Sequence, residues 1–272
     1  MVKIVGAIEG GGEAQSCQVR FADEAEASFS PSPMPAVRLG ESGGIGAFDD
    51  LHYAVELLRF TAANPGVPRL VRAYRPEPTV AFSRRESLMP GFASALTTAA
   101  SFGFTPVIRP TGGRAVAMDQ SCLVIDVIEP MARRHEGHRV AYAQVAGALS
   151  EGLRSLGVDA FVGEVPGEFC PGEFSVNARR EVKIVGISQR AITGARLVSA
   201  MVAIGNPGAL PEVLAEVNRE LNFDWRVETF GSVETEIGSV DFDAVSDALQ
   251  SVLLPTGFRT VAAHELETIR VG

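Results

Sequence analysis

The chain has 272 residues, 46% of them hydrophobic, enough to bury one large core or two smaller ones and too apolar for general disorder. Its formal net charge of −9 argues against broad nucleic-acid binding, which draws its affinity from neutralising phosphates. Cys17, Cys122 and Cys170 are an odd number at wide spacing, so a complete disulfide framework is impossible and a reducing compartment is the simpler home.

The opening Met1-Val2-Lys3-Ile4-Val5 meets Glu9 and Glu13 too early for a signal peptide or a spanning helix, so a soluble cytoplasmic protein is expected, with no membrane contact. Gly10-Gly11-Gly12 and Ser28-Phe29-Ser30-Pro31-Ser32-Pro33 break any regular pattern. Residues 1–35 therefore read as a loosely attached N-terminal extension, 36–255 as one domain, and 256–272 as a C-terminal tail.

Leu51, Val55, Leu58 and Ala62 recur at helical spacing between Asp49 and Ala63, with Asp49 or Asp50 placed to cap the start. Strands are expected over Leu70–Tyr74 and Thr79–Phe82, a short helix over Ala93–Phe102, and a strand over Thr105–Ile108. Ser121–Ile128 is almost wholly apolar and β-branched, as in a central strand buried on both faces, and its single Asp126 needs a partner. Val145, Leu149, Leu153 and Leu156 form one stripe of a helix from Arg139 to Leu156. Strands around Phe161, Phe174, Ile184 and Val198–Ala203 follow, then helices near Pro211–Leu221 and Phe242–Leu253. The pattern predicts an α+β domain in which mixed β-sheets are flanked by helices.

Two segments carry the chemistry. Cys170-Pro171-Gly172 puts a thiol in a turn, and Lys183-Ile184-Val185-Gly186-Ile187-Ser188-Gln189-Arg190 puts one lysine on an apolar strand. A turn thiol is either a nucleophile or a small buried hydrophobe. As nucleophile it would need partial exposure and a nearby cation, Lys183 or an arginine. Strict alternation places the Lys183 side chain with Val185 and opposite Ile184, at a solvent-facing edge or in a cleft. Arg109-Pro110-Thr111-Gly112-Gly113-Arg114-Ala115-Val116-Ala117-Met118-Asp119 is a glycine loop between strands, where backbone can approach a ligand, and Asp119 is suited to anchoring it. Other motifs fall away. His135-Glu136-Gly137-His138 lacks the i, i+4 histidines of a zinc helix, and there is no phosphate loop or serine elbow, so neither metal nor cofactor is expected.

Over about residues 48–255 the chain resembles the lipoate/octanoate transferase and ligase superfamily, which includes the biotin-protein ligases. The glycine loop is similar to that family's Arg-x-x-Gly-Gly-x-Ala-Val-x-x-Asp segment, and Pro78 to Arg85 to its upstream strand. Cys-Pro-Gly followed by Lys-x-x-Gly-Ile-Ser-Gln-Arg, with Met118 where the carrier-protein transferases have histidine, is most similar to the lipoyl amidotransferases, the octanoyl-[glycine cleavage H protein]:protein N-octanoyltransferases.

The resemblance implies a biotin/lipoate-ligase-like catalytic domain over 36–255 and a monomer. Cys170 would be the nucleophile and Lys183 would hydrogen-bond the acyl carbonyl; Arg84, Arg109, Gly112, Gly113, Gly186 and Ser188 would bind substrate. The glycine cleavage H protein would be acyl donor, and lipoyl domains of 2-oxo acid dehydrogenase complexes acceptors. Two other classes stand beside this one: an ATP-dependent lipoate-protein ligase, which needs no cysteine, and a non-catalytic lipoyl-domain binder.

Overall fold

A computed structural model describes residues 36–39, 45–131, 137–254 and 258–262. The 1–35 extension with Cys17, the pair His135 and Glu136, and the tail apart from 258–262 lie outside the described residues.

In chain order the elements are β1 Ala36–Leu39, α1 Ala47–Ala63, β2 Arg69–Tyr74, β3 Thr79–Phe82, α2 Phe92–Ser101, β4 Thr105–Ile108, β5 Val116–Met118, β6 Cys122–Pro130 and α3 His138–Ser155. There follow β7 Ala160–Val162, β8 Val176–Ala178, β9 Val182–Ile192, β10 Ala195–Ala203, α4 Leu210–Glu220, α5 Val233–Ile237, α6 Phe242–Ser251 and β11 Arg259–Val261. They build a mixed eight-stranded sheet, ordered β11-β1-β2-β6-β10-β9-β8-β7, and a three-stranded sheet, β4-β3-β5. The mixed-sheet α+β architecture agrees with the pattern in the sequence.

The central strand β6 is buried along all but its last residue, which is why its sequence is a nearly unbroken apolar run. One face of the large sheet, with Val71, Ile125, Val127, Val198 and Ala200, packs on Val145, Leu149 and Leu153 of α3 and Val245 and Leu249 of α6. The opposite face presents Tyr74, Val124 and Met201 toward Val80, Phe82, Val116 and Met118 of the small sheet, which α2 and α4 back. The two sheets thus leave a cleft between them, and the candidate site lies there.

Two local expectations are corrected. Neither Asp49 nor Asp50 caps α1: the helix starts at Ala47, its N-cap Gly46 makes no side-chain cap, and Asp50 is buried in the first turn. The carboxylate is drawn inward by Arg72, fully buried on β2, whose Nη2 donates to Asp50 Oδ1 at 2.5 Å and whose Nη1 donates to Asp126 Oδ2 at 3.3 Å. Asp126 therefore has its partner. The second correction is the strand around Phe174, which is a turn instead, with the strand starting at Val176. Phe174 stacks on Tyr142, ring centroids 5.3 Å apart, so an aromatic contact and not a ladder places it.

Candidate active site

A cavity of about 220 Å³ lies between the sheets. Val116 and Met118 of β5, Val124 of β6 and Met201 of β10 line it, and the turn from Phe169 to Ser175 closes over it. Cys170 and Lys183 both line this cavity, as do Arg109, Gly112, Gly113, Gly186 and Ser188. Arg84 is not among them. It is exposed, on an outer groove shared with Arg85, Arg114 and Phe223 that also reaches Cys170. The sequence-predicted residues thus converge on one place, with Arg84 at its rim.

Cys170 is half-buried and holds φ 47°, a left-handed conformation unusual for a non-glycine residue, the more so before a proline. The turn is fixed from beneath by Glu168, which is completely buried. Glu168 Oε2 accepts the Val165 N–H at 2.9 Å, and Oε1 accepts the Gly172 N–H at 3.1 Å and the Ser175 hydroxyl at 2.5 Å. Across the cavity the Arg114 N–H donates to Cys170 Sγ at 3.0 Å, joining glycine loop to thiol turn. Gly113 makes this approach possible: at φ 100°, a Cβ there would stand 3.0 Å from Sγ and 2.7 Å from Arg109 Nη2.

Lys183 is 2% exposed, so the cleft and not the solvent edge is its environment. Its Nζ donates to Glu168 Oε1 at 3.0 Å, to the Phe169 carbonyl at 3.0 Å and to the Cys170 carbonyl at 2.9 Å. Strict alternation would have placed it with Val185, which packs in the core beneath α3. A register shift corrects that expectation: Val176 pairs with Val185 but Asn177 pairs with Lys183, leaving Ile184 as the extra residue of a β-bulge. Ile184 and Val185 both turn to the α3 side, and Lys183 is re-aimed into the cavity.

Other polar groups at the cavity are held by neighbouring residues. Arg109 Nη2 donates to the Arg114 carbonyl at 2.8 Å while its buried Nε has no partner among the described residues, and burial lowers the guanidinium's pKa from the usual arginine value. Ser188 bonds Thr111 of the glycine loop at 3.0 Å, and Asp119 accepts from the Ser121 N–H and hydroxyl, anchoring the loop's far end as expected of it. Arg72, Asp126, Ser199 and Ser188 stand in one row across β2, β6, β10 and β9, so a polar line runs from the buried ion pairs to the cavity. Tyr142 adds a phenol whose pKa burial raises, with Arg109 opposing the rise. Among the described residues no His/Cys/Asp/Glu group suited to a metal occurs, and no helix is long and apolar enough to cross a membrane.

Sequence reasoning missed Glu168, Tyr142 and the Arg114 N–H. An acidic residue two positions before the cysteine, in Gly167-Glu168-Phe169-Cys170, is the one signal that could have pointed to Glu168.

The chain belongs to the lipoyl protein ligase A/B catalytic domain family, whose model matches residues 48–231. Among curated relatives it is 28% identical over 162 residues to an octanoyl-[GcvH]:protein N-octanoyltransferase of Geobacillus kaustophilus, covering 58% of this chain and 56% of that protein. It is 25% identical over 137 residues to a lipoyl-[GcvH]:protein N-lipoyltransferase of Listeria monocytogenes, covering 50% and 49% respectively. The chain thus spans about half the length of the curated relatives it matches. A solved structure of lipoate-protein ligase A bound with ATP superposes with a TM-score of 0.66 at 21% identity, covering 86% of this chain and 91% of that one. That likeness establishes the fold.

Proposed function

We propose that this protein is an acyltransferase that moves an octanoyl or lipoyl group from the lysine of the glycine cleavage H protein to the lysine of lipoyl domains, through a thioester on Cys170. The observation that carries the reading is the joint placement of a half-buried turn thiol and a buried lysine at one apolar cavity. The relatives named for transfer from GcvH support the donor.

The cavity takes the acyl chain against Val116, Met118, Val124 and Met201, where unbranched apolar cargo replaces water. The Cys170 thiolate attacks the donor's acyl carbonyl, the donor amine leaves with a proton, and the acceptor amine then attacks the more reactive thioester. Negative charge on the carbonyl oxygen in each tetrahedral intermediate is met by the fixed positive charge of Lys183. An acyl oxygen that bonds Nζ would take the place of the Phe169 or Cys170 carbonyl. Cys170 in its left-handed turn lines the cavity, and Gly113 beside it has no side chain to crowd the sulfur.

The test is intact mass spectrometry of the protein mixed with octanoylated H protein, with Cys170→Ser beside it, followed by peptide mapping with and without hydroxylamine. A hydroxylamine-labile octanoyl group on Cys170 that chases onto a lipoyl domain is expected. Cys122 is the internal control, because complete burial pushes its thiol up to about 12 and it should carry nothing. Absence of any adduct with a competent donor, together with ATP- and lipoate-dependent acceptor modification unaffected by Cys170→Ser, overturns the reading in favour of a ligase.

A further inference from the structure

We propose that Glu168 is a positioning residue that prevents Lys183 from capturing the acyl group carried on Cys170. The inference rests on the thioester reading and adds a function to the site: protection against self-acylation.

A primary amine beside a thioester is a hazard. Neutral Lys183 Nζ would attack the thioester carbonyl, forming a C–N bond and breaking C–S. The electron pair would leave on the Cys170 sulfur, which would take up the amine's proton. The products are an amide on Lys183 and a free thiol, and the acyl group is lost to the acceptor. Lys183 Nζ stands 2.9 Å from the carbonyl oxygen of the residue that bears the thiol, and both side chains line the same cavity. An amine in the same cavity competes intramolecularly against an acceptor that must arrive by diffusion, and intramolecular reactions reach effective molarities of about 10⁵ M or more when the groups are well oriented.

The structure removes the lone pair that this reaction needs. An ammonium has three N–H donors and no acceptor, and Lys183 has three acceptors in place: Glu168 Oε1 and the carbonyls of Phe169 and Cys170. The Phe169 ring, 4.6 Å from Nζ, adds a face that favours a cation. Of these partners only Glu168 carries the compensating charge. Every group bonded to its carboxylate is a donor: the Val165 and Gly172 N–H groups, the Ser175 hydroxyl and Lys183. The ion pair is 2% and 0% exposed, so water does not substitute for either partner. A catalyst that delivers acyl groups to foreign lysines thus keeps its own lysine in the non-nucleophilic state.

The experiment loads Cys170 of the wild type and of Glu168→Gln from an octanoyl thioester of N-acetylcysteamine, removes the donor and incubates without acceptor. Hydroxylamine-resistant octanoyl on Lys183 is then followed by peptide mapping. The wild type is expected to keep a labile adduct only. Glu168→Gln should accumulate the resistant adduct at least tenfold faster, and Glu168→Gln with Lys183→Arg should show none. Should Glu168→Gln not fold, Glu168→Asp, which withdraws the carboxylate by one methylene, is expected to give an intermediate rate. A resistant adduct that appears in the wild type, or variants loaded on Cys170 that modify Lys183 no faster than the wild type, would overturn the proposal while leaving acyl transfer intact. A wild type that takes no octanoyl on Cys170 overturns both.

Discussion

Gly112 and Gly113 are neighbours in one loop, yet the geometry demands glycine at only one of them. At Gly113 φ is 100°, and an added Cβ would stand 2.7 Å from Arg109 Nη2 and 3.0 Å from Cys170 Sγ. Holding an L-residue in such a backbone region costs of order 1–3 kcal/mol. The arginine end can retreat, but only by giving up its 2.8 Å bond to the Arg114 carbonyl. For a domain of this size, a loss of about 1–3 kcal/mol lowers the melting temperature by roughly 2–12 °C. At Gly112 nothing among the described residues lies within 4 Å of the added Cβ and φ is not left-handed. There alanine should be neutral or stabilising by about 0.4–1 kcal/mol, because it restricts the unfolded chain. Calorimetric melting of Gly112→Ala and Gly113→Ala, with the iodoacetamide alkylation rate of Cys170 as the second readout, separates the two. Gly113→Ala should melt lower and alkylate more slowly, the methyl group covering the sulfur. Equal melting shifts and equal thiol rates for the two variants would refute the argument that Gly113 is there to let the loop reach the thiol.

Two further predictions follow from strained and buried groups. Cys170→Ala and Cys170→Gly should both lack acyl loading, but the glycine variant should be the more stable by about 1–2 kcal/mol, the reverse of the usual order, because φ 47° penalises a Cβ; urea unfolding checks this, and a more stable alanine variant would show the turn to be unstrained. Burial raises the pKa of Asp126 above 3.8 in spite of Arg72, so the folded state holds that proton more tightly than the unfolded chain; the associated stability is fully present below 3.8 and is lost as pH rises through the folded value. The stability of the wild type relative to Asp126→Asn should therefore grow as pH falls from about 7 towards 4, and a difference that shrinks over that range, measured by urea unfolding, would contradict the direction.

Much of the framework was legible because it obeys a simple period over enough residues. β6 is buried over eight consecutive residues, and the stripe of Val145, Leu149 and Leu153 repeats along α3 at helical spacing, so both announce themselves. β1 and β11 do not. They are four and three residues long, and their parallel pairing, Val37 with Arg259, joins segments more than two hundred positions apart, so no local pattern encodes it. Asp50 misled for a related reason: a carboxylate at a helix start is ordinarily a cap, and only the arrival of Arg72 on a separate strand makes inward burial the better arrangement.

The site was legible in its residue types and illegible in its geometry, and Lys183 shows why. Period two is a property of an uninterrupted ladder, and it assigns Lys183 to the face beneath α3, where a buried ammonium would meet only apolar side chains. One extra residue, Ile184, changes the outcome. Two successive apolar side chains then turn to the core and the lysine crosses to the cavity, where Glu168 and two carbonyls receive it. The bulge is favourable only because that receiving group exists, since lysine is almost never fully buried without a partner. Glu168 in turn is tolerable in a fully buried position only because Lys183 and three other donors converge on it. Neither residue explains its own position. The pair, fifteen residues apart in the chain, explains both, and it holds the thiol turn between them.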